Sequence, residues 1–185
     1  MWLLRQCLDA WPSSEFPQRN WSLPDLIAEA RCLPPPDALL DLDDPAFLPP
    51  GDMPARINAQ RRRRGLPSFP DGCEAAPQYA NLIFHSLAQR YASVLADIAR
   101  IAGRQAERLC IVGGGSRNEY LNELTAQATG IPVERHAVES STLGNFAVQL
   151  ACLNAPNSPH PTDGVSAEAI AAQVRRLAGV GMFSE

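Results

Sequence analysis

The residues best placed to do chemistry are Gly113-Gly114-Gly115-Ser116-Arg117-Asn118. They follow Leu109-Cys110-Ile111-Val112, a short apolar run suited to a buried parallel strand. A helical pattern carrying Leu121, Leu124 and Ala128 comes next. Strand, glycines, helix is an order that offers bare backbone N–H groups at a helix N-terminus. Glycine lets another molecule approach the main chain, and the helix dipole favours an anion there. Phosphate is the natural guest. Ser116 is placed to cap the helix or donate a hydroxyl, and Asn118 to hydrogen-bond a base or ribose. A tight turn with close strand–helix packing would use the same glycines. Two better-known loops fail on residue identity. A dinucleotide-binding fingerprint needs glycine at position 118, which is asparagine. A P-loop needs lysine, and all 16 basic residues are arginine.

A second candidate is Val138-Glu139-Ser140-Ser141-Thr142-Leu143-Gly144-Asn145. Its hydroxyls either serve a ligand or start a helix, and Gly144 would let that helix pack closely on a neighbour. The run Arg61-Arg62-Arg63-Arg64 can be read as a nucleic-acid or targeting patch. The stronger reading is cations held at a helix C-terminus by the macrodipole. The five cysteines form no CxxC and lie at no metal spacing from His85, His136 or His160. They read as small buried hydrophobes in a reducing, cytoplasmic setting.

Several elements must position these residues. Leu3, Leu4, Cys7, Leu8 and Trp11 predict a first helix ended by Pro12, a core helix rather than a signal peptide. Ser22 and Asp25 cap a short helix through about Arg31. Residues 34–54 read as an irregular, proline-broken arm. A helix from about Met53 to Arg64 follows, with Gly65 beyond its end and Pro67 after it. The clearest helix spans about Gln78 to Ala102. Tyr79, Leu82, Ile83, Leu87, Val94, Leu95, Ile98 and Ile101 mark its apolar stripe, and Gly103 ends it. After the glycine loop and its helix, Gly130-Ile131-Pro132 is a stop. Val133–His136 reads as a second strand, then a helix from Ser140, a polar loop at 154–165 and a last helix with Ile170, Val174 and Leu177 inward. From residue 78 the order α-β-α-β-α-α predicts α/β packing around a parallel strand pair.

Taken together, Ile111–Asn118, the continuation Leu121-Asn122-Glu123-Leu124-Thr125-Ala126, and the spacing to Gly130–Val133 and Glu139–Asn145 resemble the adenosine motif of FGGY carbohydrate kinases. The resemblance covers nearly the whole chain. It implies a partial C-terminal lobe of an actin-like (ribonuclease H-like) ATPase fold, helix-rich with a small parallel sheet. Residues 1–185 would form one incomplete nucleotide-binding lobe: helices and a proline-rich arm over 1–75, an α/β core over 76–185. Gly113, Gly114, Gly115, Ser116 and Asn118 would bind ATP or ADP. The glycines would touch phosphates and sugar through backbone, and Asn118 would lie against the adenine. Gly144 and its helix would pack behind that pocket.

Three further segments, Met1–Leu4, Asp43–Leu48 with Pro50–Met53, and Ile83–Ala88, point to the branch of that family that phosphorylates L-rhamnulose at its 1-hydroxyl. A xylulose or glycerol type is the competing member. Family members are far longer than this chain. The resemblance therefore implies that the general-base aspartate, the sugar-binding residues, the Mg²⁺ ligands and a Ser-Gly-Thr phosphate loop lie outside these 185 residues. Phosphoryl transfer depends on positioning and charge stabilisation, so the isolated chain is expected to be inactive.

Its expected partners are nucleotide and the missing N-terminal lobe. A homo-oligomer through the exposed edge at Leu109–Val112 is also expected, since a two-stranded sheet leaves that edge unpaired. A non-catalytic interaction module is the alternative in a different class. The formal net charge of −4 suggests no nucleic-acid partner, and no apolar stretch approaches the roughly 20 residues that span a bilayer.

Overall fold

A computed structural model describes residues 1–11, 21–135, 140–154 and 165–179. It is helix-rich α/β with one two-stranded parallel sheet. The chain divides into two compact units, Met1–Leu109 with Asn118–Val133, and Cys110–Arg117 with Glu134–Glu185.

Among the described residues the first unit holds five α-helices. Helix α1 (Trp2–Ala10) buries Leu4 and Cys7. It ends where Trp11 turns extended, as the residue before a proline must. The indole Nε1 of Trp11 donates to Asp71 at 2.9 Å. Helix α2 (Leu23–Arg31) starts as its sequence predicts: Ser22 Oγ accepts from the Asp25 backbone N–H at 3.2 Å. Helix α3 (Met53–Arg63) is capped by Asp52, carries Pro54 in its first turn, and is followed by Gly65 at φ +74°.

The proline-bearing arm between α2 and α3 is less irregular than its composition suggests. A 3₁₀ turn at Pro45–Phe47 is capped by Asp44, and Phe47 is buried. Side chains from the helices hold its backbone. Ser86 Oγ accepts from Leu40 N–H at 2.9 Å. Gln60 accepts from Asp41 N–H at 2.9 Å and donates to Asp41 O at 3.1 Å. Prolines remove ladder donors, and these side chains satisfy the remaining backbone groups.

Helix α4 (Ala76–Ala102) is the spine of this unit and ends at Gly103 in the left-handed conformation. It packs against α5 (Glu119–Thr129), α2 and α1. Its N-terminal half buries Tyr79, Leu82, Ile83 and Phe84 in the core. Fully burying side chains of this size contributes about 1.5–3 kcal/mol each. The stripe predicted along the whole helix departs from expectation beyond Tyr91. Val94, Ile98 and Ile101 are exposed, Ile98 at 53% and Ile101 at 80%. Periodicity reports that a face is apolar, not that this chain supplies its cover.

The arginine run is consumed locally. Arg61 Nε donates to Pro67 O at 2.9 Å, Arg62 to Ser68 Oγ at 3.1 Å and Arg63 to Asp44 at 2.9 Å, and Arg64 bonds Leu39 O. These contacts fasten the chain on either side of the α3 C-terminus.

In the second unit, α6 (Ser140–Asn154) packs on α7 (Ala167–Gly179). Leu143, Ala147 and Ala151, each four residues apart, are its buried positions. Ser166 Oγ accepts from Ala169 N–H at 3.1 Å at the start of α7, and Ile170, Val174 and Leu177 are half-buried as predicted. The sheet pairs β1 (Leu109–Ile111) with β2 (Val133–Arg135). His136, Val138 and Glu139 lie outside the described residues, as do 155–164 of the predicted loop.

Candidate functional site

The three glycines do not run straight into an α-helix. Gly113–Arg117 form a 3₁₀ turn of their own, and α5 begins only at Glu119. Gly113 has φ +74°, a conformation that favours glycine. Ser116 is buried, and its Oγ donates to Gly113 O at 2.8 Å, closing the turn on itself. Ser116 therefore does not cap α5. That position belongs to Asn118, whose Oδ1 accepts from Leu121 N–H at 3.0 Å. Asparagine is as good a cap as serine, and the inserted turn shifts the helix start two residues on.

The glycines at 114 and 115 have a different character. A Cβ built on either would meet nothing within 4 Å. Close packing among the described residues therefore does not explain them. Gly114 is exposed and Gly115 half-buried. The turn presents open main chain, which is what a bound group with oxygen acceptors requires.

Asn118 is only 2% exposed, and its Nδ2 points to Met1 Sδ at 3.8 Å. Its Oδ1 is used as the α5 cap, which fixes where the turn ends and α5 starts.

In the second candidate segment, Ser141, Thr142, Asn145 and Phe146 line a pocket of about 240 Å³ on the first turns of α6. A Cβ at Gly144 would also meet nothing within 4 Å, so no close helix neighbour accounts for that glycine. Both this pocket and the glycine turn belong to the second unit.

One constellation was not visible in the sequence. Asn81 Nδ2 donates to Pro34 O at 2.7 Å, which fixes the amide so that Oδ1 accepts from Tyr120 O–H at 3.1 Å. Tyr120 has one proton and has spent it. His85 Nε2, 3.1 Å away, must then be the donor to the tyrosine oxygen. Burial pushes the His85 pKa down and, as the leading cause, the Tyr120 pKa up. This chain of bonds pins α4 to α5, whose N-terminus Asn118 caps. No short motif could have announced it, because each of its bonds joins residues 35 or more apart. Among the described residues no helix is long and apolar enough to cross a membrane.

Residues 1–153 match the FGGY family of carbohydrate kinases, C-terminal domain. The chain is 38% identical over 149 residues to a rhamnulokinase of Bacteroides thetaiotaomicron, an alignment covering 80% of this chain and 28% of that protein. The chain thus spans under a third of the length of the curated relative it matches. Its helix-rich α/β architecture is that of part of the C-terminal lobe of an actin-like kinase. The chain belongs to the FGGY family of carbohydrate kinases.

Proposed function

We propose that this chain is the adenine-side, ATP-binding portion of a sugar kinase whose parent reaction transfers the γ-phosphoryl group of ATP to O1 of L-rhamnulose. The observation that carries the reading is the open backbone at Gly114 and Gly115, next to a Gly113 held at positive φ. That backbone fits a nucleotide: glycine main chain suits close contact with phosphate and ribose oxygens, and the missing Cβ atoms leave the approach clear. Ser116 holds the turn's shape through Gly113 O, and Asn118 fixes the junction to α5. The resemblance of the arm at 43–53 and the kinship to a rhamnulokinase favour L-rhamnulose over the xylulose and glycerol types.

When bound, Mg²⁺-ATP supplies the phosphoryl group and the charge neutralisation its transfer needs. This chain's residues bind and orient the nucleotide. On this reading the base that takes the O1 proton and the Mg²⁺ ligands belong to the remainder of the kinase, and the isolated chain does not turn over. Coupled assays on a full-length parent across L-rhamnulose, D-xylulose and glycerol test the substrate. A preference of at least tenfold in kcat/KM for L-rhamnulose is expected, and equal or better use of another acceptor refutes that assignment.

A second reading, self-association or docking of the missing lobe, is favoured by the exposed apolar face of α4 and the free edge of the two-stranded sheet. Light scattering across a concentration series tests it. A strict monomer at the highest concentration counts against the homo-oligomer.

A further inference from the structure

Arg61 is a cation that the fold buries without an ion-pair contact among the described residues. It is 5% exposed, although the other three arginines of its run are on the surface. Two contacts hold it. Its Nε donates to Pro67 O at 2.9 Å, and its guanidinium carbon sits 3.9 Å from the centre of the Phe69 ring. Neither contact uses the terminal nitrogens Nη1 and Nη2. Among the described residues no carboxylate lies within ion-pair distance of Arg61, and no acceptor takes those nitrogens. A buried charge without a partner is costly, because desolvation is unrepaid. Burial also holds this guanidinium below its usual pKa.

The space beside it explains the arrangement. Arg61 and Phe69 line a cavity of about 220 Å³ whose opposite wall is Leu33 and the rigid run Pro34-Pro35-Pro36. Gln78 also lines it, exposed and with an amide that makes no hydrogen bond among the described residues. Asn81 is a wall but not a reader, since both ends of its amide are spent on Pro34 and Tyr120. Asp37 is exposed on the same cavity and favours the charged form of Arg61 from beyond bonding distance.

We propose that this cavity binds a small organic carboxylate with an apolar body. The carboxylate accepts a bidentate pair from Nη1 and Nη2, the geometry a guanidinium fork is shaped for. The body lies against the prolines and Phe69, and Gln78 serves any polar substituent. Phosphate would match the fork equally well. Asp37 decides between them, because its negative charge opposes a dianion more than a monoanion. The cavity of about 220 Å³ suits a small acid rather than a nucleotide or a peptide. The site uses no residue of the glycine turn, so its fate is separate from that of the nucleotide reading.

The test is calorimetric titration of the 185-residue chain with benzoate, with benzamide as neutral isostere and inorganic phosphate as dianion. Saturable benzoate binding is expected, with benzamide at least tenfold weaker and phosphate weaker than benzoate. Arg61→Lys keeps the charge and loses the fork, and should weaken benzoate at least tenfold. Asp37→Asn changes an exposed side chain, so the fold persists even where the Arg61 variant fails. It should tighten benzoate binding two- to fivefold. Absence of benzoate heat, equal binding of benzamide, tighter binding of phosphate, or indifference to Asp37→Asn overturns the proposal.

Discussion

Gly114 and Gly115 separate what the fold needs from what a ligand would need. Among the described residues, none beyond the adjacent ones comes within 4 Å of either missing Cβ, so Gly114→Val should leave stability within about 0.5 kcal/mol. Its side chain would stand where nucleotide is proposed to lie. Asn118 is the opposite case. Asn118→Ala removes the α5 cap and should cost about 1 kcal/mol or more in urea unfolding, because the lost acceptor also leaves Leu121 N–H unpaired. The cysteines give a third contrast. Burial pushes the Cys7 thiol up to about 12, with Asp52 adding to it, whereas Cys32 and Cys110 are exposed. A thiol reagent at pH 8 should label Cys32 and Cys110 in the native chain and reach Cys7 only on unfolding. At this scale the sequence was only partly readable. It marked the glycine turn and left Ser116 either to cap the helix or to donate its hydroxyl; the structure uses it as a donor to Gly113 O and gives the cap to Asn118. Which of two good caps is used depends on how many residues the turn consumes, and local propensity does not encode that.

At the scale of elements, α4 is two helices in energetic terms. Phe84→Ala, in its buried half, should cost about 3–5 kcal/mol. Ile101→Glu, at 80% exposure, should change stability by less than about 0.5 kcal/mol and should lower any concentration-dependent association seen by light scattering. The α4–α5 seam carries an acid sensitivity. His85 has a folded-state pKa below its unfolded value of about 6.5, so the unfolded chain binds more protons. Its contribution is present above about pH 6.5 and is lost as pH falls below it. His85→Gln should flatten the decline in thermal midpoint between pH 6.5 and 5. The helices themselves were legible because caps, prolines and periodicity agree: Ser22, Pro54, Gly65 and Gly103 stand where their chemistry requires. The ordered arm, the buried Arg61 and the Asn81–Tyr120–His85 chain were not legible. Each rests on particular side-chain hydrogen bonds outside the repeating pattern of any helix or strand, which leave no period.

For the whole molecule, the chain has the architecture of part of a C-terminal kinase lobe. It matches the family's C-terminal domain over 1–153 and covers 28% of its rhamnulokinase relative. The central claim is that the glycine turn forms one wall of a nucleotide site. Calorimetric titration of ADP into this chain mixed with the remaining portion of the Bacteroides thetaiotaomicron rhamnulokinase, for the wild type and for Gly114→Val, tests it most directly. Saturable ADP binding that weakens at least tenfold in the variant, with its thermal midpoint unchanged, is the predicted result. No ADP binding in the mixture, or binding that Gly114→Val leaves untouched, would contradict the claim.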